Sequence, residues 1–147
     1  MDIRSALDQL IIREAALSIT SPITTSIKKA WKYMAPQEST VPETPCFMNG
    51  WRLVDHEIGH GRSSVKEVYV VNAQLFIKDA DLERGSDIAT AFHVAFITDI
   101  EDGDLTLAGS VAIMRFREGD GAALVTLERA GAAYMGVNYF LELVLTK

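Results

Sequence analysis

The stretch CFMNGWRLVDHEIGHGRSSVKEVYVVNAQLFIK, residues 46–78, decides the fold. Two runs of alternating side chains, 46–58 and 65–78, flank a Gly-rich turn at 59–64, a combination typical of a long β-hairpin. The second run divides into two sets of alternate residues: Tyr69, Val71, Ala73, Leu75 and Ile77 against Val68, Val70, Asn72, Gln74 and Phe76. One set is apolar throughout and the other is mixed. We therefore expect helices on one face of the sheet, and solvent or a partner on part of the other.

Two amphipathic helices are predicted to cover the apolar face. The first spans residues 2–19 and ends before Pro22, because the residue preceding a proline is pushed away from helical backbone. The second spans about 81–99 and presents a stripe of apolar side chains at helical spacing: Ile88, Ala89, Ala91, Phe92, Ala95 and Phe96.

The rest of the chain is predicted to supply further strands. Residues 25–33 suggest a short strand with one basic face, with a short helical turn as the alternative. Residues 35–45 contain three prolines and suggest an extended surface connection. Three later runs alternate as strands do: 105–116, 122–128 and 134–146, with an acidic turn at 101–104 and a hairpin loop at 117–121. The predicted class is α+β, a mainly antiparallel sheet with two principal helices packed on one face.

Composition limits the kind of protein. The 147 residues, 48% of them hydrophobic, suit a single domain over 1–147. Fourteen Lys and Arg against 20 Asp and Glu leave a net charge of −6, which disfavours a protein that grips nucleic acid through its phosphates. Cys46 is the only cysteine, so neither an internal disulfide nor a thiolate cluster can form. No apolar run approaches the ~20 residues that a membrane span needs, so we expect no membrane partner.

The sequence His56-Glu57-Ile58-Gly59-His60 matches the H-E-x-x-H signature of zinc metalloproteases. That chemistry needs both histidines on one face of a helix, with the glutamate as general base for a zinc-bound water. Here the residues before His56 alternate with a period of two, and glycine at 59 and 61 disfavours a helix. We therefore interpret His56, Glu57 and His60 as residues of a hairpin turn and predict no catalytic or metal site and no cofactor. A small zinc peptidase is the alternative from a different functional class.

Other reactive side chains favour structural interpretations. Cys46 could be a nucleophile, but a small buried cysteine at the start of a strand is commoner. His93 lies on a helix otherwise lined with Ala and Phe, which favours a flanking or core position over a ligand. The acidic turn lacks the spacing and terminal glutamate of an EF-hand loop.

Five segments together resemble the tail terminator (tail completion) proteins of bacteriophages with long, non-contractile tails. They are Ile3-Arg4-Ser5-Ala6-Leu7, Trp31-Lys32-Tyr33-Met34-Ala35-Pro36, Val41-Pro42-Glu43-Thr44-Pro45, the strand 70–77 leading into an Ala-rich helix, and residues 127–136. The similarity extends over nearly the whole chain and is compositional and positional rather than catalytic.

The resemblance implies a non-enzymatic subunit of a closed ring, typically a hexamer, located at the head-proximal end of the tail. Its partners would be copies of itself, the tail tube protein and the head–tail connector protein, with host cytoplasm as the place of assembly. DNA would pass without sequence-specific binding, and an acidic lumen formed by Glu101, Asp102 and Asp104 would repel its backbone. A head-to-tail connector of similar size is the runner-up.

A ring subunit needs head-to-tail contacts that close by rotation, and partly apolar sheet faces and Gly-containing turns can supply them. The contact candidates are Lys28, Lys32, Pro42, Pro45, His60, Arg62, Ser63, Val68, Val70, Phe76, Arg117, Glu118 and Phe140.

Overall fold

The structure, a computed structural model, describes residues 2–59 and 64–147. Within them the elements follow in the order α1 (Ile3–Ala15), β1 (Ser18–Ile19), β2 (Thr25–Ser26), β3 (Lys29–Trp31), β4 (Cys46–Ile58), β5 (Val65–Ile77), α2 (Leu82–Asp102), β6 (Ile113–Phe116), β7 (Ala122–Arg129) and β8 (Ala132–Thr146). The predicted α+β class is confirmed, with both helices packed on the main sheet.

The main sheet is built on three long antiparallel strands. Its order is β3-β4-β5-β8-β6, and β7 also pairs with β8. The β4–β5 hairpin aligns Cys46 with Phe76 at one end and Ile58 with Val65 at the other. β8 pairs with β5 along one side and with β7 and then β6 along the other. Only β3 breaks the antiparallel pattern, because it runs parallel to β4.

The larger core lies between the helices and the sheet. Phe96 of α2 is at its centre, with ring centroids 4.9 Å from Tyr139 and 5.7 Å from Phe47. All three side chains are buried. The helical stripe predicted for α2 and the apolar face predicted for β5 therefore meet in one cluster.

A smaller core covers one end of the opposite sheet face. It contains Val41, Cys46, Met48, Phe76 and Tyr134, with side chains of the 31–35 segment packed against it. The connection predicted over 35–45 thus crosses the sheet and buries Val41 instead of lying wholly at the surface.

The N-terminal region corrects two predicted boundaries. The first helix ends at Ala15, not near residue 19, and β1 then pairs with β2. The strand predicted over 25–33 is divided into β2 and β3. The division has a packing reason, because Ile27 between the two pieces is buried and donates its N–H to Leu17 O.

The strand predicted over 105–116 is wrong in its first part. Only Ile113–Phe116 is a strand, because Leu107, Ala108 and Gly109 have positive φ values that no strand accommodates. Leu107 and Val111 lie in a turn and insert their side chains into the core. The resulting alternation of apolar and polar residues resembles that of a strand. A further left-handed pair, Ala130 and Gly131, forms the tight turn between β7 and β8.

Among the described residues, no helix is long and apolar enough to cross a membrane.

Candidate functional site

The outer half of β4 presents a strand edge that no other described strand covers. β3 pairs only with Cys46–Met48, whereas β4 continues to Ile58. All eight residues from Trp51 to Ile58 are exposed. Proteins protect such edges with lysine, proline, other charged side chains or β-bulges. This stretch has no lysine or proline, but it carries Arg52, Asp55 and Glu57 and a bulge. A partner strand that pairs with this edge must therefore match its charges and its bulge.

The hydrogen-bond pattern shows which backbone groups of β4 are open. Val65 exchanges two backbone hydrogen bonds with Lys147, so Val65 and alternate residues after it on β5 face β8. The β4 residues opposite them direct their N–H and C=O groups away from β5: Trp51, Leu53, His56 and Ile58.

Three of those four outward-facing positions carry large apolar side chains, and the fourth carries His56. Trp51 is 52% exposed, Leu53 46% and Ile58 63%. They share the helix side of the sheet, since Trp51 and Leu53 pair with the core residues Val71 and Tyr69. Apolar surface concentrated on an open edge is a feature of interaction sites.

A β-bulge at Val54 sets the charge pattern of the edge. Leu53 pairs with Tyr69, and Asp55 pairs with Val68, so Val54 is an extra residue. The extra residue shifts the alternation by one and brings Asp55 to the same sheet face as Arg52. Without it, Asp55 would share the face of Leu53. The open half of β4 therefore carries apolar groups on one face and the charged residues Arg52, Asp55 and Glu57 on the other.

A buried polar pair supports this part of the sheet. The Tyr69 hydroxyl donates a hydrogen bond to Glu67, and Lys147 Nζ lies 2.8 Å from the same carboxylate. The hydrogen bonds from Lys147 and Tyr69 lower the pKa of Glu67, while the bond to Glu67 raises the pKa of Tyr69 to about 12. The indole of Trp51 packs edge-on against Tyr69 at 5.5 Å. The exposed Trp51 indole therefore packs against a Tyr69 ring that the hydrogen bond to Glu67 holds in place.

A second open edge lies on the far side of the same sheet. β7 pairs with β8 on its inner side, and its outer side has no described strand partner. It has eight residues, and Leu124 on it is 50% exposed. The residues whose backbone groups face outward alternate along it: Ala122, Leu124, Thr126 and Glu128.

The structure places His56 and Glu57 on β4, so the first part of the H-E-x-x-H match is extended backbone. Successive strand residues point to opposite faces, so the two side chains diverge. His60 lies outside the described residues, as do Arg62 and Ser63. In the described part of the chain, no group of three or more His, Cys, Asp or Glu side chains is arranged to hold a metal ion.

The basic cluster and the proline connection lie near the β3 edge. Lys28 and Lys32 are exposed, and Lys32 Nζ is 2.6 Å from the Asp8 carboxylate of α1. Pro42 is exposed and Pro45 is half-buried. Lys32, the residue after β3, therefore forms an ion pair that links the end of this strand to α1.

Four contact candidates lie on the sheet face opposite the helices, and three of them, Val68, Val70 and Phe76, are buried instead of lying at the surface. Phe76 is completely buried in the smaller core beneath the Arg129 guanidinium, so it cannot serve as a surface contact. Val68 and Val70 are also mostly buried, and Phe140 is half-buried. A shallow depression of roughly 190 Å³ lies between Val70 and Phe140.

The candidates in the later turns have separate environments. Arg117 approaches Asp120 at 3.7 Å within its loop, and Glu118 is exposed. Glu101 and Asp102 are not in a turn, because α2 extends to Asp102. Asp104 accepts hydrogen bonds from Thr106 and Ala108, which lower its pKa. All three acids are exposed, but Asp104 also holds its turn together.

Sequence reasoning missed a buried carboxyl group. Glu14 of α1 is completely buried and accepts a 2.7 Å hydrogen bond from Asn49 Nδ2 of β4. Burial raises the pKa of Glu14 to about 8. Among the residues that the structure describes, its second oxygen and the Asn49 side-chain oxygen both lack a hydrogen-bond partner. No sequence motif predicts a buried glutamate here, because an acidic residue on an amphipathic helix is normally assigned to the solvent-exposed face.

Two further side chains have structural surroundings. His93 Nδ1 lies 2.8 Å from the buried Tyr139 hydroxyl, and burial lowers the pKa of His93. Cys46 is fully buried, and burial raises the pKa of its thiol to about 12. A thiol in that state is a poor nucleophile at neutral pH.

No protein-family model matches this chain, and no curated protein matches it at a significant level.

Proposed function

We propose that this chain is a structural subunit that assembles with copies of itself, and specifically a phage tail terminator that works without catalysis. One observation carries the proposal: a single sheet has two open edges on opposite sides, β4 with several exposed large apolar residues and β7 with the half-exposed Leu124. A subunit with two unlike contact surfaces can join head to tail, and such contacts close into a ring when the rotation permits.

The strand directions favour this mode of joining. β4, β5, β8 and β7 are antiparallel to their neighbours in turn, so β7 runs opposite to β4. β7 is level with the part of β4 that β3 covers, because Leu124 is aligned through Val137 and Leu75 with Phe47. A second copy in the same orientation, shifted along the strands by about the length of β7, brings its β7 antiparallel to the open half of β4. Both open edges are eight residues long, Trp51–Ile58 and Ala122–Arg129. The ring contact would then be a continued antiparallel sheet.

The tail role itself is supported by the five segments that resemble tail terminators. In that role the ring would cap the last tail-tube ring, stop tube growth and meet the head connector inside the virion, after assembly in host cytoplasm. Glu101 and Asp102 are exposed at the end of α2, and in this role they would repel passing DNA. Their reversal to lysine should slow DNA ejection while leaving ring formation intact.

The direct test is the growth of tail tubes from a purified tail tube protein in the presence of this chain. The purified chain should stop elongation at a fixed length and appear by electron microscopy as a ring at one tube end. Leu124→Lys, which places a charge on the β7 edge, should abolish capping. Leu82→Lys is the matched control, because Leu82 is 62% exposed at the start of α2 and lies on neither edge.

Tubes that continue to grow, with the protein absent from their ends, would refute the terminator role. Binding to filled heads in place of tubes would support the head-to-tail connector instead.

A further inference from the structure

We propose that the free protein is a two-fold dimer in which the open edge of β4 pairs antiparallel with the same edge of a second copy, centred on Leu53. The dimer contact involves β4 alone, and only its consequence for assembly rests on the proposed function.

The physical need for a cover comes from the exposed apolar edge. Trp51 and Leu53 are about half exposed, and their backbone groups face outward. A free chain with this edge can add copies without limit through unlike contacts, whereas a two-fold contact uses the same patch on both copies and stops at two. Pairing with the β4 of a second copy therefore covers the exposed edge and limits the association to two chains.

The backbone pattern permits the pairing. Around a two-fold axis at Leu53, Leu53 faces its own copy, and Trp51 of one chain faces His56 of the other. All three residues direct their N–H and C=O groups outward, so each pair can exchange backbone hydrogen bonds. The pairing extends over 51–56 and stops before Cys46–Met48, where β3 already covers the edge.

The charges favour this partner and this alignment. On the opposite face the two-fold axis places Arg52 of each chain across from Asp55 of the other, giving two attractive pairs and no like-charge pair. The bulge at Val54 makes this arrangement, because it brings Asp55 to the face of Arg52. Centring the axis on Asp55 instead would place the two Asp55 carboxylates against each other, an unfavourable cross-strand pair.

Charge reversal can be tested cleanly at these positions. Within one chain, Arg52 pairs across the strands with Val70, and Asp55 pairs with Val68. Reversing either charge therefore creates no direct like-charge pair inside the subunit. Both side chains are exposed, so the fold should tolerate the substitutions.

The experiment is sedimentation equilibrium of the full chain as wild type, Arg52→Asp, Asp55→Arg and the double reversal. We expect the wild type to be a dimer. The dissociation constant of each single variant should be about 100-fold larger, and the double variant should recover the dissociation constant of the wild type. An equal mixture of the two single variants should form a heterodimer, because the attractive pairs are restored between unlike chains. Arg4→Asp and Asp87→Arg are matched controls with the same charge changes on exposed helical residues.

A monomeric wild type would overturn the inference, as would single variants that dimerise like the controls. Circular dichroism spectra of the variants show whether each one is folded. A mixture that fails to associate would exclude the Leu53-centred alignment.

The consequence for assembly follows from the shared edge. The ring contact proposed above uses the same half of β4, so dimer and ring exclude each other and the dimer is a stored form of the subunit. A chain with Arg52→Cys and Asp55→Cys should form two bridges across the dimer on oxidation, while the tail role is tested by tube capping with the wild-type chain. If the bridges form but the wild type does not cap tubes, the tail role fails and the dimer stands. If the wild type caps tubes and no bridges form, the dimer fails and the tail role stands.

Discussion

Replacing the buried carboxyl of Glu14 by an amide should stabilise the protein at neutral pH. Glu14 is fully buried, and its only hydrogen bond among the described residues comes from Asn49. A protonated Glu14 gains a hydrogen-bond donor, and the side-chain oxygen of its neighbour Asn49 has no donor among the described residues. Glu14→Gln supplies that donor permanently, whereas the wild-type chain must take up a proton when it folds.

The magnitude follows from the pKa of Glu14. Burial raises it from 4.5 to about 8, so the folded protein holds a proton that the unfolded chain releases above pH 4.5. A raised pKa gives stability that is fully present below pH 4.5 and is lost as the pH rises to about 8. At pH 7 the loss in the free energy of unfolding is about 3 kcal/mol. Glu14→Gln does not titrate and should recover that amount.

The assay is urea unfolding of wild type and Glu14→Gln at pH 5, 6, 7 and 8. The difference in free energy of unfolding should be small at pH 5 and rise to about 3 kcal/mol at pH 7, equivalent to about 6 to 12 °C in Tm for a chain of this size. His93 has a lowered pKa and an opposite dependence below pH 6.5, but it contributes equally to both proteins. Glu118→Gln, at an exposed position, is the control.

A pH-independent difference between the two proteins would refute this reasoning, because it would mean that Glu14 has the same charge in the folded and unfolded states. A destabilised Glu14→Gln at pH 7 would show that the amide cannot occupy the site of the protonated acid.

Two further predictions concern the β8 strand. Gly136→Ala should cost about 3 kcal/mol in chemical denaturation, because the added Cβ would lie 1.9 Å from the backbone oxygen of Leu75; Gly50→Ala, whose new Cβ meets only Met34 atoms at 3.8 Å or more, should have little effect. Tyr139→Phe removes the 2.8 Å contact to His93 Nδ1 and should lower the free energy of unfolding by about 1 kcal/mol at pH 8; unchanged stability would show that the contact contributes nothing.

The long hairpin was predictable because its information is local. The alternation over 46–58 and 65–77 and the Gly-rich residues between them define two strands without reference to the rest of the chain. The second helix was predictable for the same reason, although it ends at Asp102 and not at the predicted residue 99. The 105–112 segment was mispredicted because alternating burial arises equally from a turn that inserts Leu107 and Val111 into the core.

The candidate site was only partly predictable. The sequence pattern predicts partly apolar edges, but it does not indicate that Phe76 is buried or that the outer half of β4 is open. Whether an apolar strand residue is buried depends on what crosses above it. The 31–45 segment covers Phe76, while β3 stops before it reaches Trp51.

The sequence by itself determined the α+β class, the β4–β5 hairpin and the amphipathic face of α2, since periodicity depends only on neighbouring residues. Only the tertiary structure decided which edges remain open, that a single extra residue at Val54 aligns Arg52 with Asp55, and that Glu14 is buried against Asn49. Those features depend on contacts between residues far apart in the chain. A local sequence pattern does not show how far one segment covers another in the folded protein.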